Sequence, residues 1–479
     1  MARTARESRS SPAGHLPPLV ERDLPDPLPL RALLGPGVIG AGVGLSSGEF
    51  ILWPFIASQV GLVFLWAAAL GIITQFFLNM EIERYTLATG ETALTGFSRS
   101  WRHWGLSFAI LVYFANLWPG WITSSATLLT FLVGGSKNLY AVLGLVAIGL
   151  ALTITPVVYQ ALEKIEFLKV AVVLLFLVVA IAFAITAEAW ADLPQAVTNI
   201  GRVPGAELGW ALVLGALAFA GAGGGQNLVQ SNWIRDKGFG MGKYIPRLVS
   251  PITGKEEAAP EATGFIMRDD EANVARWKVW WKTANTEQLV SFVAISFTTI
   301  VFMSMLAYST VFGADAEQNV SFLQLEGEAL KETVGPWFGT LFWIIGSFSL
   351  FAAALGIVDY TSRLAADVLK TSYLRDHGWS ESKLYFALVW GLIVIGSVIV
   401  LTITSQPLVL LIISSCVGGF MMFIYSALLL VTNRKLLPPS IRISGVRVGA
   451  MIWSFLFFGV FSAIAIWDQR DNLSKLLGG

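Results

Sequence analysis

Two apolar stretches of this sequence are interrupted by glycine, and each break carries polar side chains. The first holds Gly40, Gly42, Gly44 and Gly48 around Ser46, Ser47 and Glu49; the second holds Gly221, Gly223, Gly224 and Gly225 beside Gln226 and Asn227. Broken backbone in lipid leaves N–H and C=O groups without partners, so it is tolerated only where protein surrounds it or where it lines a cavity. Paired glycine-interrupted spans in matching halves of a chain point to a transporter's binding site. Glu49 is the side chain with the most chemistry, because a carboxylate in mid-span is costly and faces a cavity or a partner. It reads as a cation-binding or proton-coupling group, or else as a protonated acid bonded to nearby backbone. Gln226 and Asn227 offer amide donors and acceptors, or cap the broken helix.

Further polar groups lie along the spans. Asp359 precedes Arg363 by four residues, which reads equally as a helical ion pair and as an anionic contact on the pathway. Glu81 and Glu83 sit beside Arg84 at a span end and read as gating or interfacial pairs, with Glu81 the pathway candidate. Asn79 and Asn116 are mid-span amides, suited to joining helices or to lining a cavity. Phe50, Trp53, Trp118, Trp121 and Phe219 can offer aromatic faces, which together with a carboxylate attract alkylammonium ions.

The elements that position these groups are membrane spans. The chain has 479 residues, 55% hydrophobic and 13% charged, against about 25% charged in soluble domains. Basic and acidic residues balance at 32 each, which implies no bulk attraction to nucleic acid. About eleven segments reach the length of roughly 20 residues that a bilayer needs, near 33–57, 61–86, 105–133, 139–158, 161–187, 207–234, 286–312, 337–367, 382–403, 407–432 and 444–467. Lys and Arg cluster in alternate loops: Arg84, Arg99 and Arg102; Lys164; Arg235 to Lys282; Arg363 to Lys383; Arg434 to Arg447. The positive-inside rule then puts the N-terminus inside and the C-terminus outside, in what reads as a bacterial inner membrane. Residues 1–31 are polar, lack the apolar core of a secretory signal and read as a disordered cytoplasmic tail. Arg276-Trp277-Lys278-Val279-Trp280-Trp281-Lys282 has the basic and aromatic mix of a helix lying in the inner interface. The one cysteine, Cys416, excludes an intrachain disulfide. No His-Glu-x-x-His, Gly-x-Ser-x-Gly or Cys/His cluster suggests an enzyme, a metal centre or a cofactor.

Gly35-Pro36-Gly37 ahead of the first break, Leu162-Glu163-Lys164-Ile165 opening the fifth span, and Leu430-Val431-Thr432-Asn433-Arg434-Lys435 closing the tenth resemble the Nramp family. That resemblance implies the APC superfamily and a LeuT-type fold, an all-α bundle of two five-helix inverted repeats with unwound first and sixth helices, plus one extra helix. The repeats would span 32–187 and 188–435, the second with a long inner loop at 236–285, followed by an eleventh span and tail at 436–479. The functional residues depart from the family pattern. Its Asp-Pro-Gly-Asn falls on Ser46-Ser47-Gly48-Glu49, its Met-Pro-His-Asn on Gly224-Gly225-Gln226-Asn227, and its third-span acidic pair on Trp118 and Trp121. The metal-binding Asp becomes Ser46 and the soft Met becomes Gly224, while His15, His103 and His377 all lie outside the spans.

The sequence therefore reads as an Nramp-related secondary transporter, monomeric in the bilayer and without a cofactor, whose rebuilt site takes a small cation with protons as a candidate coupling ion. Lost side-chain volume and nearby aromatic residues favour an organic cation such as a mono-, di- or polyamine. A divalent metal of Mg or Mn type, held by Glu49 and Asn227, is the alternative, and a cation channel is a weaker one.

Overall fold

Long apolar runs fold into helices because in lipid every peptide group must be satisfied within its own segment. The structure is a computed structural model that describes residues 15–28, 35–250, 252–254, 263–314, 319–403 and 406–470. Among them, nine helices are long and apolar enough to cross a membrane. The first span comprises α1 (Pro36–Gly44), a π turn at Ser47–Leu52 and α2 (Trp53–Val60). There follow α3 (Trp66–Thr89), α4 (Trp104–Asn116), α5 (Gly120–Val133), α6 (Lys137–Ile154) and α7 (Val158–Phe183). The second broken span is α8 (Trp210–Ala218) and α9 (Gly225–Lys237). The rest are α10 (Glu271–Glu287), α11 (Ala294–Val311), a short α12 (Phe322–Thr333), α13 (Pro336–Ser372), α14 (Glu381–Thr402), α15 (Pro407–Lys435) and α16 (Val446–Asp468). Helix α3, polar in its second half, and the broken α8–α9 pair complete the expected eleven segments.

Three expectations change. The third span is interrupted between Asn116 and Gly120, at Pro119, which has no N–H to continue a helix. The segment Arg276–Lys282 is not a separate helix. It belongs to a helix running from Glu271 to Val311, and it buries Trp277 and Trp280 against the bundle. Residues 15–28 are not a disordered tail; the rest of that expectation, 1–14 and 29–31, lies outside the described residues. Val20–Arg22 forms β1, paired in parallel with β2 (Phe265–Met267). Leu24 is buried and its N–H donates to Asn273 Oδ1 at 2.7 Å, while Trp280 Nε1 donates to Pro25 O at 2.9 Å. Arg99 donates to Pro17 O at 3.0 Å and pairs with the buried Glu91 at 2.5 Å.

The two breaks abut. A Cβ on Gly44 would overlap Gly221 O, and one on Gly48 would overlap Phe219 O, so the two segments can touch only as glycine. Gly224 needs glycine twice over, for its φ of 49° and for its approach to Gly418 in α15. Side chains from outside the breaks satisfy the exposed peptide groups. Gln75 in α3 serves the second break: its Nε2 donates to Ala218 O and Ala220 O at 2.9 Å, and its Oε1 accepts from the N–H groups of Ala222 at 3.1 Å and Gly223 at 3.0 Å. Gln226 Nε2 donates to Gly40 O, Ser349 Oγ to Leu45 O at 2.9 Å and Trp53 Nε1 to Ala216 O at 3.1 Å. At the start of α1, Glu287 Oε1 accepts from Gly37 N–H at 2.9 Å, a carboxylate where a helix N-terminus favours one.

Helix α12 lies across the first and eighth spans. Phe322 packs edge-on to Phe55 with centroids 5.6 Å apart, and Trp343 Nε1 donates to Leu323 O at 2.9 Å. Glu326 in this helix is fully buried, its carboxylate has no hydrogen-bond partner, and burial pushes its pKa up to about 8.

Two predictions follow from these contacts. Gln75→Leu strands several buried peptide groups at about 1–3 kcal/mol each. Thermal unfolding of the purified variant should show a loss of roughly 3 kcal/mol or more; an unchanged midpoint would mean that other groups satisfy the break. For Glu326, the folded state keeps its proton from pH 4.5 up to about 8. Stability therefore falls as pH rises through that window. Glu326→Gln should flatten this slope and raise the melting midpoint at pH 8 but not at pH 4; parallel wild-type and variant profiles would refute it.

Candidate substrate site

A small cavity lies where the breaks meet. Its polar lining is neutral: Ser46, Ser47, Asn116, Gln226, Tyr360 and Ser414. Val43, Trp121, Phe219, Ala222 and Ile357 supply the apolar part. Asn116 Nδ2 donates to Thr361 Oγ1 at 2.8 Å and Tyr360 OH at 3.1 Å, which holds α4 and α13 of the wall in register. Ser46 Oγ donates to Val43 O at 2.9 Å. Trp121 is 1% exposed and its indole N–H has no hydrogen-bond partner.

Glu49 follows Ser47 and Gly48 in the π turn. It is fully buried and neither carboxylate oxygen has a hydrogen-bond partner. The charge that acts on it is Lys169 of α7. Lys169 is also fully buried, with its Nζ 2.7 Å from Glu166 Oε2. Glu166 packs against Gly42 so closely that a Cβ there would sit 2.6 Å from its Oε2. Two carboxylates and one ammonium thus share the space behind the first break. Among the described residues no group of three or more His, Cys, Asp or Glu side chains converges as a metal site would require.

The other sequence candidates fall in different places. Asn227 turns to α3, where its Nδ2 donates to Asn79 Oδ1 at 2.7 Å and Gln75 Oε1 at 3.3 Å. Gly224 meets α15. Asp359 is held by Arg363 at 2.9 and 3.1 Å and by Tyr385 OH at 2.7 Å, and Arg363 also pairs with Asp236. The ion-pair reading of Asp359 is therefore the geometry present. Glu81 is taken up by Arg84 at 2.7 Å, Asn433 Nδ2 at 3.0 Å and Arg447 at 3.3 Å. Of the five aromatic candidates, Trp121 and Phe219 line the cavity. Phe50 stacks on Phe342 at 5.3 Å, Trp53 on Phe64 at 5.6 Å, and Trp118 meets Phe114 edge-on at 6.0 Å.

Gln75, Glu166, Lys169 and Glu287 are absent from the sequence candidates. The signal for Glu166 and Lys169 is in the sequence: opposite charges three residues apart inside an apolar span, a rare and functionally loaded pattern.

No protein-family model matches the chain, and no curated protein matches it in sequence. Solved structures do. A mutant of the Eremococcus coleocola manganese transporter superposes with a TM-score of 0.66 at 12% identity, over 94% of this chain and 90% of that one. Mhp1, a nucleobase-cation-symport-1 family transporter with bromovinylhydantoin bound, gives 0.53 at 12% identity over 93% and 95%. MhsT in complex with L-phenylalanine gives 0.50 at 12% identity over 90% and 98%. At such identities the likeness is one of fold, and it makes this chain an all-α membrane protein of LeuT-type architecture, with broken first and sixth spans and one span beyond the tenth.

Proposed function

We propose that the protein is a secondary transporter that carries a small organic cation, an amine, by alternating access around the two breaks. The observation that carries this reading is Glu49, a fully buried carboxylate without a hydrogen-bond partner, on the same turn as two residues of the cavity wall. An ionised carboxylate in such surroundings is costly unless a positive charge joins it. Lys169 offsets one of the two local carboxylates, so a single further positive charge balances the group. That favours a monoamine over a di- or polyamine. The neutral lining with Trp121 and Phe219 suits the alkyl part of such a substrate and a cation–π contact. A proton would compete with the substrate at Glu49, because either one removes the same cost.

The manganese transporter among the structures of similar fold keeps a divalent metal as the second reading. Against it stand the donor set and the charge. Hard divalent cations take six or more oxygen ligands, usually with carboxylates, whereas the cavity offers hydroxyl and amide oxygens and Lys169 adds a positive charge nearby.

A thermal-shift panel of purified protein against mono-, di- and polyamines, Mn²⁺ and Mg²⁺ ranks the ligands. Substrate-dependent counterflow in proteoliposomes then separates a carrier from a channel. Glu49→Gln should fold and lose roughly 30-fold or more in affinity for the best amine, the usual effect of removing one partner of a desolvated charge pair. Equal affinity in both proteins would remove Glu49 as the counter-charge, and saturable micromolar Mn²⁺ uptake would overturn the amine reading.

A further inference from the structure

A second cavity lies at the basic end of the bundle, away from the breaks. Arg84 from α3, Lys278 and Lys282 from α10, Arg442 from the connection before α16 and Arg447 at its start line it together with Trp281. One carboxylate, Glu81, serves this group, pairing with Arg84 at 2.7 Å and Arg447 at 3.3 Å. Both guanidinium groups lie over the Trp281 ring, at 4.1 and 4.6 Å from its centroid. Arg447 is further fixed by Asn285 Oδ1 at 2.5 Å, Arg84 by Ile441 O at 2.9 Å and Arg442 by Leu437 O at 2.8 Å. Lys278 and Lys282 are one helical turn apart on one face and exposed. Neither they nor Arg442 has a carboxylate partner among the described residues.

The cavity also has a definite place relative to lipid. Leu289 and Val290 are about 10 Å further along the same helix at 1.5 Å per residue, and they are 49% and 59% exposed. Val446, Ile452 and Trp453 on the neighbouring α16 are 81%, 48% and 45% exposed. Polar surface thus gives way to apolar surface just beyond the cations, and the partly exposed Trp281 lies among them. Tryptophan favours the headgroup level of a bilayer, and basic pockets between helices at that level bind anionic headgroups.

We propose that this cavity binds the phosphate of an anionic phospholipid, with Arg84, Arg447 and Arg442 as the part of the site held by protein contacts and Lys278 and Lys282 as its exposed rim. The lipid's acyl chains would lie along the exposed apolar faces of the two helices. Free phosphate shares the headgroup chemistry but has no use for those faces. The test is thermal unfolding of the full-length protein in detergent, titrated with phosphatidylglycerol, phosphatidylcholine or inorganic phosphate at matched ionic strength. Native mass spectrometry would count retained lipid in parallel. Phosphatidylglycerol should stabilise the wild type and phosphatidylcholine should not. The Lys278→Gln/Lys282→Gln double variant changes two exposed side chains and should bind phosphatidylglycerol about 30-fold more weakly. Equal responses to the two lipids, or an undiminished response in the double variant, would overturn the proposal. Stabilisation by inorganic phosphate equal to that by phosphatidylglycerol would overturn the lipid assignment.

Discussion

Lipid offers no hydrogen bonds, so every peptide group freed by breaking a span has to find its partner inside the protein. The rest of the structure is arranged around meeting that demand in two places at once. Gln75 answers four peptide groups of the second break from a neighbouring helix, which is why α3 carries an amide at this level. Gln226 and Trp53 bond from each broken span to the backbone of the other, so the breaks are linked by hydrogen bonds as well as by the contact of Gly44 with Gly221. Bringing two unwound segments together leaves the cavity between them, walled by residues of the breaks and by Asn116, Trp121, Ile357, Tyr360 and Ser414 of the surrounding helices.

Charges inside the membrane obey the same rule with larger energies, since an uncompensated buried ion costs several kcal/mol. Most of those here are matched. Arg363 joins Asp359 and Asp236, Arg235 joins Asp367 at 2.6 Å and Glu381 at 3.0 Å, and Lys237 joins Glu163. These pairs tie α9, the second half of the broken sixth span, to α7, α13 and α14 at the basic end. Opening the bundle at that end would require them to part or move together. Against this background Glu49 stands out because its nearest compensating charge already has a closer partner in Glu166.

Much of this could be read from residue order. Glycine spacing located both breaks, since few other residues tolerate the local backbone and the contact. The alternation of basic loops and apolar runs located the spans. What could not be read was which neighbour each polar group meets. Asp359 was equally an ion pair and a pathway group until Arg363 and Tyr385 were seen to occupy its oxygens. Phe50 and Trp53 look identical in sequence to Trp121, and only packing separates ring stacking from cavity lining. Hydropathy began the seventh span at residue 286 because Lys278 and Lys282 interrupt the apolar run, although the helix itself starts at Glu271. The strap at Val20–Arg22 was hidden for a different reason. Its partner is far away in the chain, and three residues carry too little pattern to announce a strand.

That strap has a consequence for how the chain is made. Its partner strand, Phe265–Met267, leaves the ribosome only after the sixth span. At 5–20 residues per second that delay is on the order of ten seconds or more. Throughout it the early segment has no ladder to join, and Glu91 and Arg99 must settle against each other before Thr263 arrives to complete their cluster. The first half of the bundle is thus synthesised with its end unsealed, and the strap closes only after the sixth span has been made, while the spans from Glu271 to Asp468 are still to follow.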